Sequence, residues 1–304
     1  MSAILSLVFL VQVLRICLPY ALAALGGTFS ERGGVPNIAL EGIMLAGAFA
    51  FVLGAWATGQ PWLGVLAGVL GGVGIALLLA LVTLRFGADA VVAGVALNLL
   101  VAGGTRFLLK LTWDSASNSC RVEAPAPWLA GEGALGALAG LLGHPLFLLA
   151  VLLCAGSHVL LFRTRFGLRL RACGEHPAAA EAAGVPVGRT RLWGLLLSGA
   201  LCGLAGVWLA AEQHQFSDGM SGGRGYIALA AVVSGRWNPL GAVLACLVFG
   251  AAEALQMALQ GAGTGLPTQL LQALPYLLAL VALCGLVGRA RPPAALGQGQ
   301  DGEE

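Results

Sequence analysis

The chain has 304 residues, of which 58% are hydrophobic and only 10% charged, with a formal net charge of +2. So few charged side chains cannot cover the surface of a water-soluble domain of this length, so lipid must cover most of it. The small positive excess is spread over loops and forms no basic stripe, which excludes a nucleic-acid-binding surface.

A helical span needs about 20 apolar residues to cross about 30 Å of hydrocarbon. Residues 4–25 supply the first, interrupted by Arg15 and Pro19. No basic leader or small-residue cleavage site accompanies it, so it reads as a retained span rather than a cleaved signal. A polar, glycine-rich break at residues 30–37 leads directly into an apolar run, 38–54. Pro61 precedes the next, 62–84; a short turn at 85–89 precedes 91–109. Residues 110–143 are long and mixed, carry Trp113 and Trp128, and include a stretch, 133–142, suited to the membrane surface.

Residues 145–162 form a further span and deliver the chain to an arginine-rich segment, 163–191. Residues 192–211 cross back, and a second polar, glycine-rich break at 217–225 leads into 226–235, short for a crossing. Residues 240–259 and 270–288 complete the apolar runs, and the polar tail from Arg289 reads as disordered.

The list falls into two halves, each with a long span, a glycine-rich break opening a short span, and two more spans. Gly33-Gly34-x-x-x-Ile38-Ala39-Leu40 has the spacing of Gly222-Gly223-x-x-x-Ile227-Ala228-Leu229. One extra span separates the halves, which inverts the second relative to the first. Interrupted helices in inverted halves mark a transport pathway near the bilayer midplane. The expectation is an all-α polytopic membrane protein of about 8–10 transmembrane helices in two inverted repeats. Residues 1–290 read as one membrane-spanning domain: a first repeat over 1–110, a linking span at 145–162, an arginine-rich loop at 163–191, and a second repeat over 192–288. The tail, 291–304, follows it.

Orientation follows from six arginines in 163–191, which place that segment on the cytoplasmic side. Counting from there puts Arg32 and Arg85 inside and residues 110–143 outside. Whether 226–235 crosses or only re-enters decides the side of Arg289 and Arg291, and the charge rule favours the crossing. Within the arginine flanks, residues 174–184 read as a short helix, with Pro177 suited to its first turn and Gly184 to its end. It is a place for another protein to push; the plainer alternative is a loop that only fixes topology.

Seven cysteines and four histidines show neither paired nor metal-ligand spacing, so no disulfide, metal or cofactor is implied. No hydrolase or redox motif is present, and the only lysine, Lys110, follows Leu109 rather than the glycine a Walker A loop needs. Any ATP-driven work must come from another chain. Polar groups at membrane depth are costly and often functional, which singles out Asn37, Glu41, Asn98, Glu253 and Gln256. Asn37 and Glu41 share a helix face at i, i+4 and could line a polar passage; the alternative is bonding to a neighbouring backbone. Arg224 reads as a residue reaching for the outer interface. An ion-coupled secondary transporter using Glu41 or Glu253, and a lipid-modifying enzyme, are the competing classes.

The stretch from Phe29 to Gly42, FSERGGVPNIALEG, resembles a signature of ABC-transporter permeases for nucleosides. These belong to a larger group serving ribose, other simple sugars and branched-chain amino acids. GRGYIALAAV from Gly223, with GRWNP from Gly235, resembles a second signature, and VAGVALNLL from Val92 a third. RACGEHPAAAEAAG from Arg171 resembles the cytoplasmic coupling loop of that group. Gly34, Pro36, Cys173, His176 and Ser234 depart from the usual pattern. The resemblance spans residues 19–290 and implies a bacterial inner-membrane permease subunit without its own ATPase site. It implies as partners a separate ATP-binding ABC subunit, a second permease forming a heterodimer, and an extracytoplasmic substrate-binding lipoprotein, with a small polar substrate. Asn37, Glu41 and Asn98 are then expected along the passage. Arg171, Gly174, Glu175, Pro177, Ala179, Glu181, Ala183 and Gly184 are expected to transmit ATPase motion.

Overall fold

The computed structural model describes residues 7–129, 131, 133–261, 270, 273, 277, 280, 281 and 291–297. The helices in order are α1 (Leu7–Arg32), α2 (Leu40–Thr58), α3 (Pro61–Ala80), α4 (Ala90–Trp113), α5 (Gly133–Leu142), α6 (Pro145–Arg163), α7 (Arg165–Glu175), α8 (Pro177–Ala182), α9 (Val187–Gln213), α10 (Arg224–Ser234) and α11 (Pro239–Gly261). α3 continues through a π-helical turn, Leu81–Arg85. Among the described residues, 7 helices are long and apolar enough to cross a membrane. The protein is therefore an all-α, multi-pass membrane protein. Most of the expected span 270–288 lies outside the described residues.

Helix starts follow local chemistry. Proline stands in the first turn of α3, α6 and α8, where its missing N–H costs nothing. Asp89 caps α4 by accepting from the Val91 and Val92 amides at 2.9 Å. α1 runs straight through Arg15 and Pro19 and beyond residue 25 to Arg32, so the first break begins later than the composition implied.

α9 is the most enclosed span and packs against α1, α2 and α3. The packing is close because small residues meet there. A Cβ on Gly206 would lie 2.0 Å from the Met44 carbonyl oxygen, and one on Gly72 would lie 2.4 Å from the Gly199 carbonyl oxygen. Such contacts replace the hydrophobic drive that lipid removes. By contrast, α3 and α4 turn leucine, valine and phenylalanine outward, as at Leu66, Leu70, Leu99 and Phe107.

The arginine-rich segment is more ordered than a loop. α7 lays Phe166, Leu170 and Cys173 inward and exposes Arg165 and Arg169. A break at His176 separates it from α8, so residues 174–184 are not one helix. Gly184, at φ +79°, ends α8, and α9 already begins at Val187, taking in Arg189 and Arg191. Residues 291–297 are also not a free tail: they pack on α7, with Ala295 1% exposed.

Candidate functional site

The two glycine-rich breaks meet inside the bundle. The first, residues 33–39, connects the arginine-rich end of α1 to the start of α2. The second descends from the far end of α9 and opens α10 at Arg224. α10 has 11 residues. At about 1.5 Å per residue it covers only about half of the hydrocarbon thickness, so a half-helix and its non-helical lead share one crossing. Its end, the left-handed turn at Arg236 and Trp237, lies beside Arg32.

Glu41, in the first turn of α2, reaches the start of α10. Its carboxylate accepts from the Gly223 amide at 2.8 Å and the Gly225 amide at 2.7 Å. These are unpaired donors at a helix N-terminus, where the backbone dipole also favours a negative charge. Gly225 is required by the approach: its Cβ would lie 2.4 Å from the Glu41 nitrogen. Asn98 of α4 binds the same junction from the other side. Its Oδ1 accepts from the Gly42 amide at 2.8 Å, and its Nδ2 donates to the Ile38 carbonyl at 2.9 Å and the Tyr226 hydroxyl at 3.2 Å. Asn37 is fully buried and donates to Ser198 Oγ at 2.9 Å, while its Oδ1 finds no protein partner. Glu41 and Asn98 thus join one junction, whereas Asn37 lies in the break ahead of α2, shares no helix face with Glu41 and points into the bundle toward α9.

Arg224 does not reach for the interface. It pairs with Glu253 of α11 at 2.9 Å, and Glu253 also accepts from the Tyr20 hydroxyl. This ties α10 to α11 and α1 at depth.

The residues expected to transmit ATPase motion sit at the arginine-rich end, and two of them, Gly174 and Glu175, touch the end of α1 where the first break begins. Gly174 lies against Arg32; its Cβ would be 2.2 Å from the Arg32 carbonyl oxygen. Glu175 pairs with Arg32 at 3.8 Å. Arg171 stacks its guanidinium 4.9 Å from the centre of the Phe162 ring. Pro177 is half-buried, whereas Ala179, Glu181, Ala183 and Gly184 are exposed. Ala180, 5% exposed, plugs α8 onto Cys173 and Val187. Burial raises the Cys173 thiol above its ordinary pKa, which outweighs the opposing influence of Thr190 and Arg191 and leaves it a packing residue.

Several working residues were not singled out from sequence. Arg191 is 4% exposed and donates to the Gly33 carbonyl at 3.0 Å and the Cys173 carbonyl at 3.3 Å. Arg32 donates to the Trp237 carbonyl at 2.8 Å, and Trp237 Nε1 donates to Glu31 at 2.5 Å. One cluster of backbone and arginine therefore links α7, the first break and the turn after α10.

A many-helix bundle with interrupted helices meeting inside it is the architecture expected of a membrane transport protein. The sequence matches the family described as "Branched-chain amino acid transport system / permease component" over residues 9–283, and the chain belongs to that family. It is 39% identical to the guanosine ABC transporter permease protein NupQ of Bacillus subtilis, over 95% of this chain and 97% of that protein. It is 36% identical to the nucleoside ABC transporter permease protein NupC of Lactococcus lactis, over 92% of each chain.

Proposed function

We propose that this chain is the membrane-spanning subunit of an ATP-driven importer in the bacterial inner membrane, with nucleosides as cargo. The observation that carries the transport mechanism is the docking of Gly174 and Glu175 directly on Arg32 at the first break. A push on the exposed face of α8 reaches, through α7, the segment that opens α2. The ATP is hydrolysed by a separate subunit seated on that face. A second, related permease completes the passage, and a binding lipoprotein supplies substrate at the far side. The cargo assignment rests on the substrates in the names of the two relatives.

The surface supports a passage beside the junction. Tyr226 is 48% exposed, Gly222 is exposed and Glu41 is partly so, at a depth where lipid tails cannot satisfy polar groups. A water-lined passage or a partner chain must meet that patch. Asn98 and Glu41 shape its wall, and Asn37 braces it from behind. The two repeats, 1–110 and 192–288, are related by inversion in this reading. What supports this reading is that the first turn of α2, opened by one break, bonds to the end of the other at Gly223 and Gly225.

Ion coupling is the second reading, and one observation weighs against it. Glu41 is engaged by two amides, and Glu253 by Arg224 and Tyr20, so neither carboxylate is an open cation seat. The test is uptake of labelled nucleosides and of ribose into vesicles holding the permease pair, its ATPase and its lipoprotein. Nucleoside uptake that needs ATP and survives an uncoupler is expected. Uptake that follows the proton gradient with ATP held constant sinks the proposal; ribose uptake alone sinks the cargo assignment.

A further inference from the structure

Residues 291–297 were expected to be a polar tail, and instead they bridge two functional segments. The Ala295 amide donates to the Gly174 carbonyl at 2.9 Å, satisfying one of the last carbonyls of α7. The Ala294 amide donates to Glu175 at 3.3 Å. Three residues on, the Gly297 amide donates to the Gly34 carbonyl at 3.2 Å, in the first break. Between these bonds the Ala295 side chain is 1% exposed, and Leu296 packs against the main core. Pro292 and Pro293 stiffen the approach, and a turn bond from the Leu296 amide to the Pro293 carbonyl at 3.0 Å shapes it. Gly297 takes φ +77°, which a side chain would strain.

The neighbouring geometry shows what this strap is for. Gly34 also has a left-handed backbone, φ +91°, and its carbonyl has no helix to enter. Arg191 holds the preceding carbonyl, that of Gly33, and the strap holds that of Gly34. A cavity of about 200 Å³ remains between the break, the turn from Thr83 to Ala90, Arg191 and Gly297, so without the strap the break would face open space here. We propose that residues 291–297 are a staple that fixes the coupling segment to the first break, so that the two move as one body during transport. The inference rests on the coupling role assigned to α7 and α8. It adds a positioning element from the opposite end of the chain.

A staple and a lid make opposite predictions. The complete transporter is reconstituted with its ATPase and lipoprotein, and uptake per ATP hydrolysed is measured for three forms. Deletion of 292–304 and Ala295→Trp should each lower uptake per ATP by about 2- to 30-fold, the range typical of lost coupling. The ATPase should co-purify with both at the normal ratio. In a Cys173→Ala background, the pair Pro36→Cys and Gly297→Cys is oxidised to a cross-link; a Cβ on Gly297 would lie 3.6 Å from the Pro36 ring, and the reduced pair carries the same backbone strain. Turnover should then match that of the same protein reduced. Unchanged uptake per ATP in the first two variants overturns the staple, and so does loss of turnover on cross-linking, which marks a lid that must open. If deletion prevents insertion, Ala295→Trp and the cross-link decide. A normal transporter that fails to bind the ATPase or to use ATP refutes the coupling assignment itself, a distinct outcome.

Discussion

Asn98 spends its whole amide on partners: one backbone N–H, one backbone carbonyl and one phenol, all at membrane depth. Asn98→Leu keeps the size and leaves the Gly42 amide and the Ile38 carbonyl unpaired. An orphaned buried polar group costs about 1–3 kcal/mol, so the detergent-solubilised protein should melt at clearly lower temperature. Asn37→Leu removes fewer bonds, because only Ser198 accepts from it, and should melt closer to the parent. Equal melting of the two variants would falsify the ordering. The sequence marked both residues as costly polar groups. It could not say what each one binds, because the partners lie far along the chain: Tyr226 is 128 positions from Asn98, and Gly223 is 182 from Glu41. Arg191 was hidden for a related reason. In sequence it is one of six arginines in a basic segment, and only the fold buries it against Gly33 and Cys173.

At the scale of helices, glycine decides where elements may touch. Gly206 and Gly103 are both helical, yet a Cβ on Gly206 would strike Met44 of α2, and one on Gly103 would meet nothing within 4 Å. Gly206→Val should therefore abolish accumulation of folded protein. Gly103→Ala should be neutral or stabilising by up to about 1 kcal/mol, through lower backbone entropy in the unfolded chain. Fluorescence-detected gel filtration of the two variants distinguishes these outcomes. The Arg224–Glu253 pair ties α10 to α11 with side chains 24% and 11% exposed. Breaking such a pair leaves a desolvated charge and costs roughly 3–5 kcal/mol, whereas removing both charges costs much less. Arg224→Met should thus destabilise more than Arg224→Met with Glu253→Leu; strictly additive losses would show that the pair carries no coupling. Most helices were legible because apolar runs and first-turn prolines mark them. α7 was not, because its arginines hid a short apolar stripe of Phe166, Leu170 and Cys173. The ordered strap at 291–297 left no such mark: its contacts are main-chain bonds to segments at the other end of the chain.

For the whole molecule, the proposed direction of transport follows from the arrangement of charge and helix ends. α1, the turn after α3, and α6 all finish in arginine at the end where α7 and α8 lie. The opposite end collects Trp113, Cys120, Arg121 and Glu123, and a bridge there pairs Asn118 with Ser217. Basic residues are retained on the cytoplasmic side, so in the proposed reading the end bearing α8 faces the ATP supply and the other faces the substrate. That assignment was already implied by the arginines of 163–191. The structure adds that both breaks, approaching from opposite ends, reach one junction, which no count of charges could reveal. The direction is open to a chemical test that uses a native probe. Cys120 is partly exposed at the far end, whereas Cys173 beside α8 is buried. A membrane-impermeant maleimide applied to intact cells should modify Cys120, and Cys120→Ser should remove the signal. In the Cys120→Ser background, Glu181→Cys on the exposed face of α8 should stay unmodified until the membrane is opened. Labelling of Glu181→Cys in sealed cells would place the coupling face on the substrate side, and no ATPase in the cytoplasm could then drive this permease.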